Sequence, residues 1–311
     1  YKARALVADR ERPRRRCAWN AKSKMSSSPL AAVPLICPLD GLALRPEAGC
    51  LRCAAHHAFD LSAAGYVNLL PAQHKASREP GDSKAMVSAR RRVLEAGLFS
   101  PVADLTAEAA HQALVGVDHL LLVDAGCGEG DYTARITHQL RDGRRDLQVV
   151  PVGVDISKWA VLAAAKRYPD MAWVVASNRR LPVAQGSAGL ICSLFGFPMW
   201  APWSDLQEPG QLVITVDAGA RHLIELRDII YPSTRAQDPP RPEAARSSGY
   251  ELIAETRASY VREIGDWRVL DDILEMTPHG HKISPAARAQ IQDVPSLRLT
   301  FDAIVRTFRR P

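Results

Sequence analysis

A chain of 311 residues, 47% hydrophobic and 24% charged, is long enough for one large α/β domain plus a smaller module and has an ordinary globular composition. It contains no run of about 18 apolar residues and no apolar segment near its start, which argues against a membrane span and against export, so the expected location is cytoplasmic. The net charge of +6 comes from one end: Lys2, Arg4, Arg10, Arg12, Arg14, Arg15, Arg16, Lys22 and Lys24 face only Asp9 and Glu11, and the remainder is close to neutral.

Residues 1–34 have neither helical nor strand periodicity and read as a basic disordered leader. Met25, followed by Ser26-Ser27-Ser28, reads as the natural start, which makes the leader an extension. The alternative is a basic arm gripping RNA backbone. Residues 35–70 are turn-rich and carry Cys37-Pro38-Leu39-Asp40, Cys50-Leu51-Arg52-Cys53 and His56-His57. Two knuckle-like turns separated by a short hairpin would converge on tetrahedral zinc. So small a module buries little core, and a metal would supply much of its folding energy. The expected ligands are Cys37, Asp40, Cys53 and His57. Asp40 stands where a C-x₂-C knuckle has its second cysteine, Cys50 is the alternative fourth ligand, and loss of the metal is a third possibility. The six cysteines are too unevenly placed for a disulfide framework.

Residues 71–118 read as a helical linker, with Met86, Val87, Val93 and Leu94 spaced for an amphipathic helix over 83–96. From 119 to 311 strand and helix signals alternate. Strands are expected at 120–123, 149–154, 173–175, 189–192 and 211–216, with helices at 131–140 and 159–168, the latter stopped by Pro169. This order predicts a mostly parallel, doubly wound α/β sheet of Rossmann-like kind.

The first of these strands ends in Asp124-Ala125-Gly126-Cys127-Gly128-Glu129-Gly130. Glycines at 126, 128 and 130 let a ligand approach the backbone, and the following helix offers its N-terminal amides. A dinucleotide turn needs G-x-G-x-x-G, but here Asp131 occupies the third glycine's place. Asp124 and Glu129 would also repel a pyrophosphate. The ammonium and sulfonium of S-adenosylmethionine tolerate such acids. Asp155, at the end of the next strand, is placed to accept ribose hydroxyls. The turn therefore predicts an S-adenosylmethionine-dependent methyltransferase of class I, with Asp124, Gly126, Gly128, Glu129 and Asp155 at the cofactor.

The order of motifs resembles the bacterial 23S rRNA (guanine-N1)-methyltransferases of the guanine-745 and guanine-748 types. Carrying the resemblance are Cys37-Pro38-Leu39, His57-Ala58-Phe59-Asp60, Gly65-Tyr66-Val67-Asn68-Leu69-Leu70-Pro71, Gln73-His74-Lys75, Pro80-Gly81-Asp82, Ala89-Arg90-Arg91, the glycine turn and Arg221-His222-Leu223-Ile224-Glu225-Leu226. It implies a zinc-ribbon-like RNA-recognition module ahead of the methyltransferase domain and methylation of guanine N1 in a 23S rRNA hairpin, guanine 745 foremost. It also implies a homodimer and cofactor contacts at Phe99, Gly128, Glu129 and His222. Phe99 stands where the family usually has tyrosine, so a hydroxyl contact is lost while stacking persists.

Methylating N1 requires removing its proton, for which Asp82, His74 and His222 are candidates. It also requires freeing the guanine from pairing, for which Phe195 and Phe197 are a candidate stacking platform. His74, Lys75, Arg78, Lys84, Arg90, Arg91 and Arg92 form a basic stretch suited to RNA phosphates. The rival functions are a small-molecule methyltransferase, which leaves the Cys/His cluster unexplained, and a non-catalytic RNA-binding protein with a vestigial cofactor fold.

Overall fold

The computed structural model describes residues 28–74, 77, 79–231, 239–277 and 283–311. Most of the basic leader, Met25, Cys17, Lys75, Arg78 and the side chain of His74 lie outside the described residues.

The end of the predicted leader is ordered, contrary to expectation. Pro29–Ala32 form a 3₁₀ turn, and Leu30 and Val33 are buried. The physical reason is apolar: Leu30, Val33 and Leu35 pack in one cluster with sheet residues such as Val123, Val152 and Val174. The Cys/His stretch that follows is a small antiparallel meander of β1 (Arg45–Glu47), β2 (Cys50–Arg52) and β3 (Ala58–Asp60). β4 (Val67–Asn68) leaves it to pair in parallel with the edge of the main sheet. Cys37, Leu51 and Cys53 share the same apolar cluster, so the ribbon is packed on the sheet through a continuous core.

Two helices lead into the larger unit, α1 (Lys84–Glu95), capped by the Ser83 hydroxyl, and α2 (Ser100–Ala113). Then come β5 (His119–Ala125), α3 (Asp131–Gly143), β6 (Gln148–Asp155), α4 (Lys158–Arg167), β7 (Ala172–Val175), β8 (Leu190–Leu194), α5 (Trp200–Ser204) and β9 (Leu212–Ala218). The chain finishes with α6 (Ile224–Ile230), α7 (Glu243–Ser247), β10 (Glu251–Ile264), α8 (Trp267–Glu275), α9 (Pro285–Asp293) and β11 (Leu297–Arg309).

The main sheet has the order β10-β11-β9-β8-β5-β6-β7-β4. β4 to β9 pair in parallel, while β9-β11 and β11-β10 are antiparallel. The five predicted strands and the predicted helices are present, with ends shifted by at most three residues. The order reverses at β5, whose neighbours are β6 on one side and β8 on the other, so a ligand crevice is expected beyond the carboxyl ends of β5 and β8.

Trp173 of β7 is fully buried and lies against Gly130 and Gly153; a Cβ on either glycine would collide with its indole ring. Its Nε1–H donates to the Tyr168 carbonyl at 2.8 Å, which fixes the ring. Gly153→Ala is expected to destabilise the fold by about 2–3 kcal/mol through overpacking. Adding Trp173→Leu should recover part of that loss in chemical denaturation, whereas additive losses in the double variant would contradict the packing account.

Candidate cofactor crevice and metal centre

β5 ends in a turn whose glycines take positive φ: +98° at Gly126, +56° at Gly128 and +86° at Gly130. Side chains rarely adopt such angles, so these glycines are required by geometry. The Gly126 and Cys127 amides both donate to the Val154 carbonyl, at 2.8 and 3.1 Å, which ties the turn to β6. Asp155 braces it from the other side, one carboxylate oxygen accepting from Gly128 N–H at 2.9 Å and the other from Ser157 N–H at 2.8 Å. Gly130 then starts α3.

The turn holds two buried carboxylates with incomplete hydrogen bonding. Glu129 is 1% exposed, and neither of its oxygens has a hydrogen-bond partner. Among the described residues the cation within salt-bridge range is Arg167, 3.9 Å away. Burial, with Asp131 nearby, pushes Glu129 up to about 7. Asp124 accepts from the Thr133 hydroxyl with one oxygen and leaves the other buried without a partner; burial pushes it too to about 7. Unsatisfied buried acceptors are costly and are expected where a ligand supplies the donors. They fit a ligand bearing an ammonium.

Arg90 lies over this turn, a role the sequence did not signal. Its guanidinium pairs with Asp82, donates to the Met276 carbonyl at 3.1 Å, and would sit 3.5 Å from a Cβ at Gly128. Gly81 packs flat on the start of α4, where a Cβ would meet Ile156 and Ser157, and the Ser157 hydroxyl donates to the Asp82 carbonyl at 2.7 Å. Arg92 forms a two-point pair with Asp272, at 2.5 and 2.7 Å. The basic stretch expected to face phosphates is thus partly committed inside the fold: Arg90 and Arg92 already hold carboxylates.

On the β8 side, Phe99, Phe195 and His222 converge. Ring centroids are 5.8 Å apart for Phe99–Phe195, 5.9 Å for Phe99–His222 and 5.7 Å for Phe195–His222. His222 sits in a turn held by Asp302 of β11. The Asp302 carbonyl accepts from Gly219 N–H at 2.8 Å, and its carboxylate accepts from Arg221 N–H at 3.0 Å and from Arg257 at 2.6 and 2.7 Å. Those Arg257 hydrogen bonds lower the Asp302 pKa. The Asp302 backbone N–H donates to His222 Nδ1 at 3.2 Å. A backbone N–H can only donate, so Nδ1 is the unprotonated nitrogen and the neutral ring carries its proton on Nε2. In this orientation the neutral ring presents Nε2–H as a donor.

The four expected metal ligands also meet. Potential ligand atoms of Cys37, Asp40, Cys53 and His57 lie within 4.8 Å of one another. His57 Nδ1 is 3.6 Å from Cys37 Sγ, 3.5 Å from Cys53 Sγ and 2.8 Å from Asp40 Oδ2. Tetrahedral zinc with bonds of ~2.3 Å to sulfur and ~2.0 Å to nitrogen sets S···N edges of about 3.5 Å. Both S···N distances match, so the donor set fits zinc. Asp40 is aimed by its other oxygen, which accepts from Leu42 N–H at 2.9 Å. His56, at φ +66°, turns the second knuckle so that His57 faces Cys53. Cys50 is not in the group: it opens β2 opposite Asp60, and the alternative that placed it on the metal is excluded.

Residues 35–78 match the zinc-ribbon family described as RlmA, N-terminal, and residues 122–210 match a methyltransferase domain family. A 23S rRNA (guanine(748)-N(1))-methyltransferase of Streptomyces fradiae is 30% identical over 63% of this chain and 67% of its own. A Micromonospora griseorubida protein, named for the same N1 methylation of 23S rRNA guanine, is 31% identical over 62% of this chain and 68% of its own. The chain belongs to the 23S rRNA (guanine-N1)-methyltransferase family. YxjB of Bacillus subtilis (strain 168), whose name carries the same activity, is 28% identical over 79% of this chain and 86% of its own. As a member of the family the chain is an S-adenosylmethionine-dependent enzyme of Rossmann-like class I fold with a zinc-ribbon module, and its cofactors are S-adenosylmethionine and zinc. No helix among the described residues is long and apolar enough to cross a membrane.

Two outcomes follow for this family member. Glu129 has a raised pKa, so the folded state binds its proton more tightly than the unfolded chain and stability falls as pH rises from about 4.5 to about 7. Glu129→Gln should therefore leave stability nearly unchanged at pH 4.5 and raise it above pH 7 by roughly 3 kcal/mol at most, read by denaturant melts at both pH values. For the metal, Cys53→Ser and His57→Ala are expected to lose stoichiometric zinc by elemental analysis, while Cys50→Ser keeps it. Loss of zinc from Cys50→Ser alone would overturn the ligand assignment.

Proposed function

We propose that this chain transfers the methyl group of S-adenosylmethionine to N1 of a guanine in a 23S rRNA hairpin, with residues 35–70 as a zinc-stabilised RNA-recognition module, 71–118 as a helical linker and 119–311 as the methyltransferase domain. The observation that carries the proposal is the pairing, in one chain, of a Cys37-Asp40-Cys53-His57 cluster with a glycine turn whose buried acids lack donors.

Gly126 and Gly128 would open the backbone to the cofactor, Glu129 and Asp124 would face its ammonium, and the Arg90 guanidinium, beside Gly128 and held by Asp82, would add positive charge near its carboxylate. Asp155 braces the turn and keeps lone pairs for the ribose hydroxyls. Phe99 and His222 lie at the β8 side, the former by stacking and the latter through its Nε2 proton. When bound, S-adenosylmethionine supplies an electrophilic methyl on a sulfonium. The protein's contribution is alignment of N1 with that methyl, since proximity and orientation dominate an in-line displacement. Displacement would break the methyl–sulfonium bond, the neutral thioether leaving with that electron pair, as the N1–C bond forms, and the N1 proton would pass to a base or to water. Of the candidate bases, Asp82 is paired with Arg90 and His222 accepts from the Asp302 N–H through Nδ1.

The position within the hairpin is proposed as guanine 745, on the family resemblance. A second reading, guanine 748, is favoured by the Streptomyces fradiae relative named for it. A homodimer in the cytoplasm is the proposed state, and sedimentation of the purified chain reads the first of these. Incubating the chain with an unmodified 23S rRNA hairpin and S-adenosylmethionine should yield 1-methylguanine at one position, mapped by mass spectrometry and reverse-transcription arrest. Methyl at N7 or an exocyclic amine refutes the N1 assignment, and arrest at 748 selects the second reading.

A further inference from the structure

The two phenylalanines that follow β8 have different surroundings. Phe195, at φ +53°, turns its ring toward Phe99, His222 and Tyr132, with the Tyr132 centroid at 6.4 Å. Phe197, two residues on, is 83% exposed. Its backbone is nevertheless fixed: the Phe197 carbonyl accepts from the Asn178 side-chain amide at 3.1 Å, and the Asn178 carbonyl accepts from Trp203 Nε1–H at 3.0 Å. A large aromatic ring on a braced loop beside the crevice, serving no packing purpose, is what a transient stacking partner requires.

Asn178 opens a single 3₁₀ turn with Arg179 and Arg180, both exposed and neither in a salt bridge with any described residue. Immediately beyond, the chain meets the ribbon: the Pro182 carbonyl accepts from Ile36 N–H at 3.0 Å, and Leu35 bridges Val183. One short segment therefore runs from the residue before Cys37 of the metal cluster, past two exposed guanidinium groups, to the Phe197 carbonyl, two residues from Phe195 of the crevice. Aromatic rings interleaved with cations are the chemistry of single-stranded nucleic acid binding, in which bases stack and phosphates pair.

We propose that Asn178, Arg179, Arg180 and Phe197 form the surface that holds the target nucleotide, the Phe197 ring stacking on the extruded guanine and the two arginines gripping its flanking phosphates. The proposal rests on the rRNA-methyltransferase function above and names where that substrate sits. Phe195 is the inner wall of the crevice and Phe197 the outer platform, so the two rings have separate tasks.

The test uses the full chain, S-adenosylmethionine and a 23S rRNA hairpin transcript. Phe197→Ala is expected to lower kcat/KM for RNA roughly ten- to a hundredfold, the range of a lost base–aromatic stack, with S-adenosylmethionine affinity unchanged. Phe197→Trp should restore most of the rate. Arg179→Gln combined with Arg180→Gln should weaken hairpin binding and flatten the slope of log K against log salt by about 1.4, the value for two single-strand phosphate contacts. Wild-type kinetics for Phe197→Ala, or an unchanged salt slope for the double variant, overturns the surface. A hairpin left unmethylated by the wild-type chain instead overturns the function, and this surface with it.

Discussion

The cofactor crevice depends on a wedge. Trp173 of β7 fills the space that Gly130 and Gly153 leave empty, and so presses the start of α3 down onto β6. With α3 held there, the chain from Gly126 to Gly130 must turn between two fixed ends, which it does through left-handed φ at Gly126, Gly128 and Gly130, and the amides of Gly126, Cys127 and Gly128 reach Val154 and Asp155. The polar features follow from that apolar one. Asp124 and Glu129 are buried because the turn is tight, and their raised pKa values follow from burial. The protein thus keeps buried acceptors without donors, a local cost offset by the packing around them.

The second dependence is the continuous core beneath the ribbon. A meander of three short strands could not hold itself together on apolar burial alone. Here it has two supports: the four-residue ligand cluster on one side, and on the other the contact of Leu35, Cys37, Leu51 and Cys53 with the sheet. The ribbon is therefore set at a fixed place beside the crevice, its metal knuckle joined to residues 182–183 by backbone bonds. The same rigidity appears on the opposite side, where Asp302 uses its carbonyl, amide and carboxylate together to hold the His222 turn.

Much of this was legible in the sequence because it is written in local patterns. The glycine turn, the five parallel strands and the metal ligands are short-range signals, and the family motifs connected them. Asp40 could be set against Cys50 only in three dimensions, since both spacings allow a knuckle. The long β10–β11 pair was missed because β10 is an edge strand that is exposed on most of its length and mixes Glu251, Glu255, Arg257, Arg262 and Glu263 with apolar residues, leaving no apolar run to read. Arg90 and Arg92 read as surface charge because their partners, Met276 and Asp272, lie some 180 residues away in sequence. The separate fates of Phe195 and Phe197 were equally hidden: identical residues two apart, one turned inward by a left-handed φ.

The central claim is that the buried acids of the glycine turn receive the cationic end of S-adenosylmethionine. Calorimetric titration of the chain with S-adenosylmethionine between pH 5.5 and 7.5, beside Glu129→Gln, tests it most directly. A carboxyl raised to about 7 receives an ammonium best when ionised, so wild-type affinity should climb as pH rises through 7, while the variant binds more weakly and loses part of that climb, Asp124 keeping the rest. Equal affinity and the same pH profile in the two proteins would contradict the account.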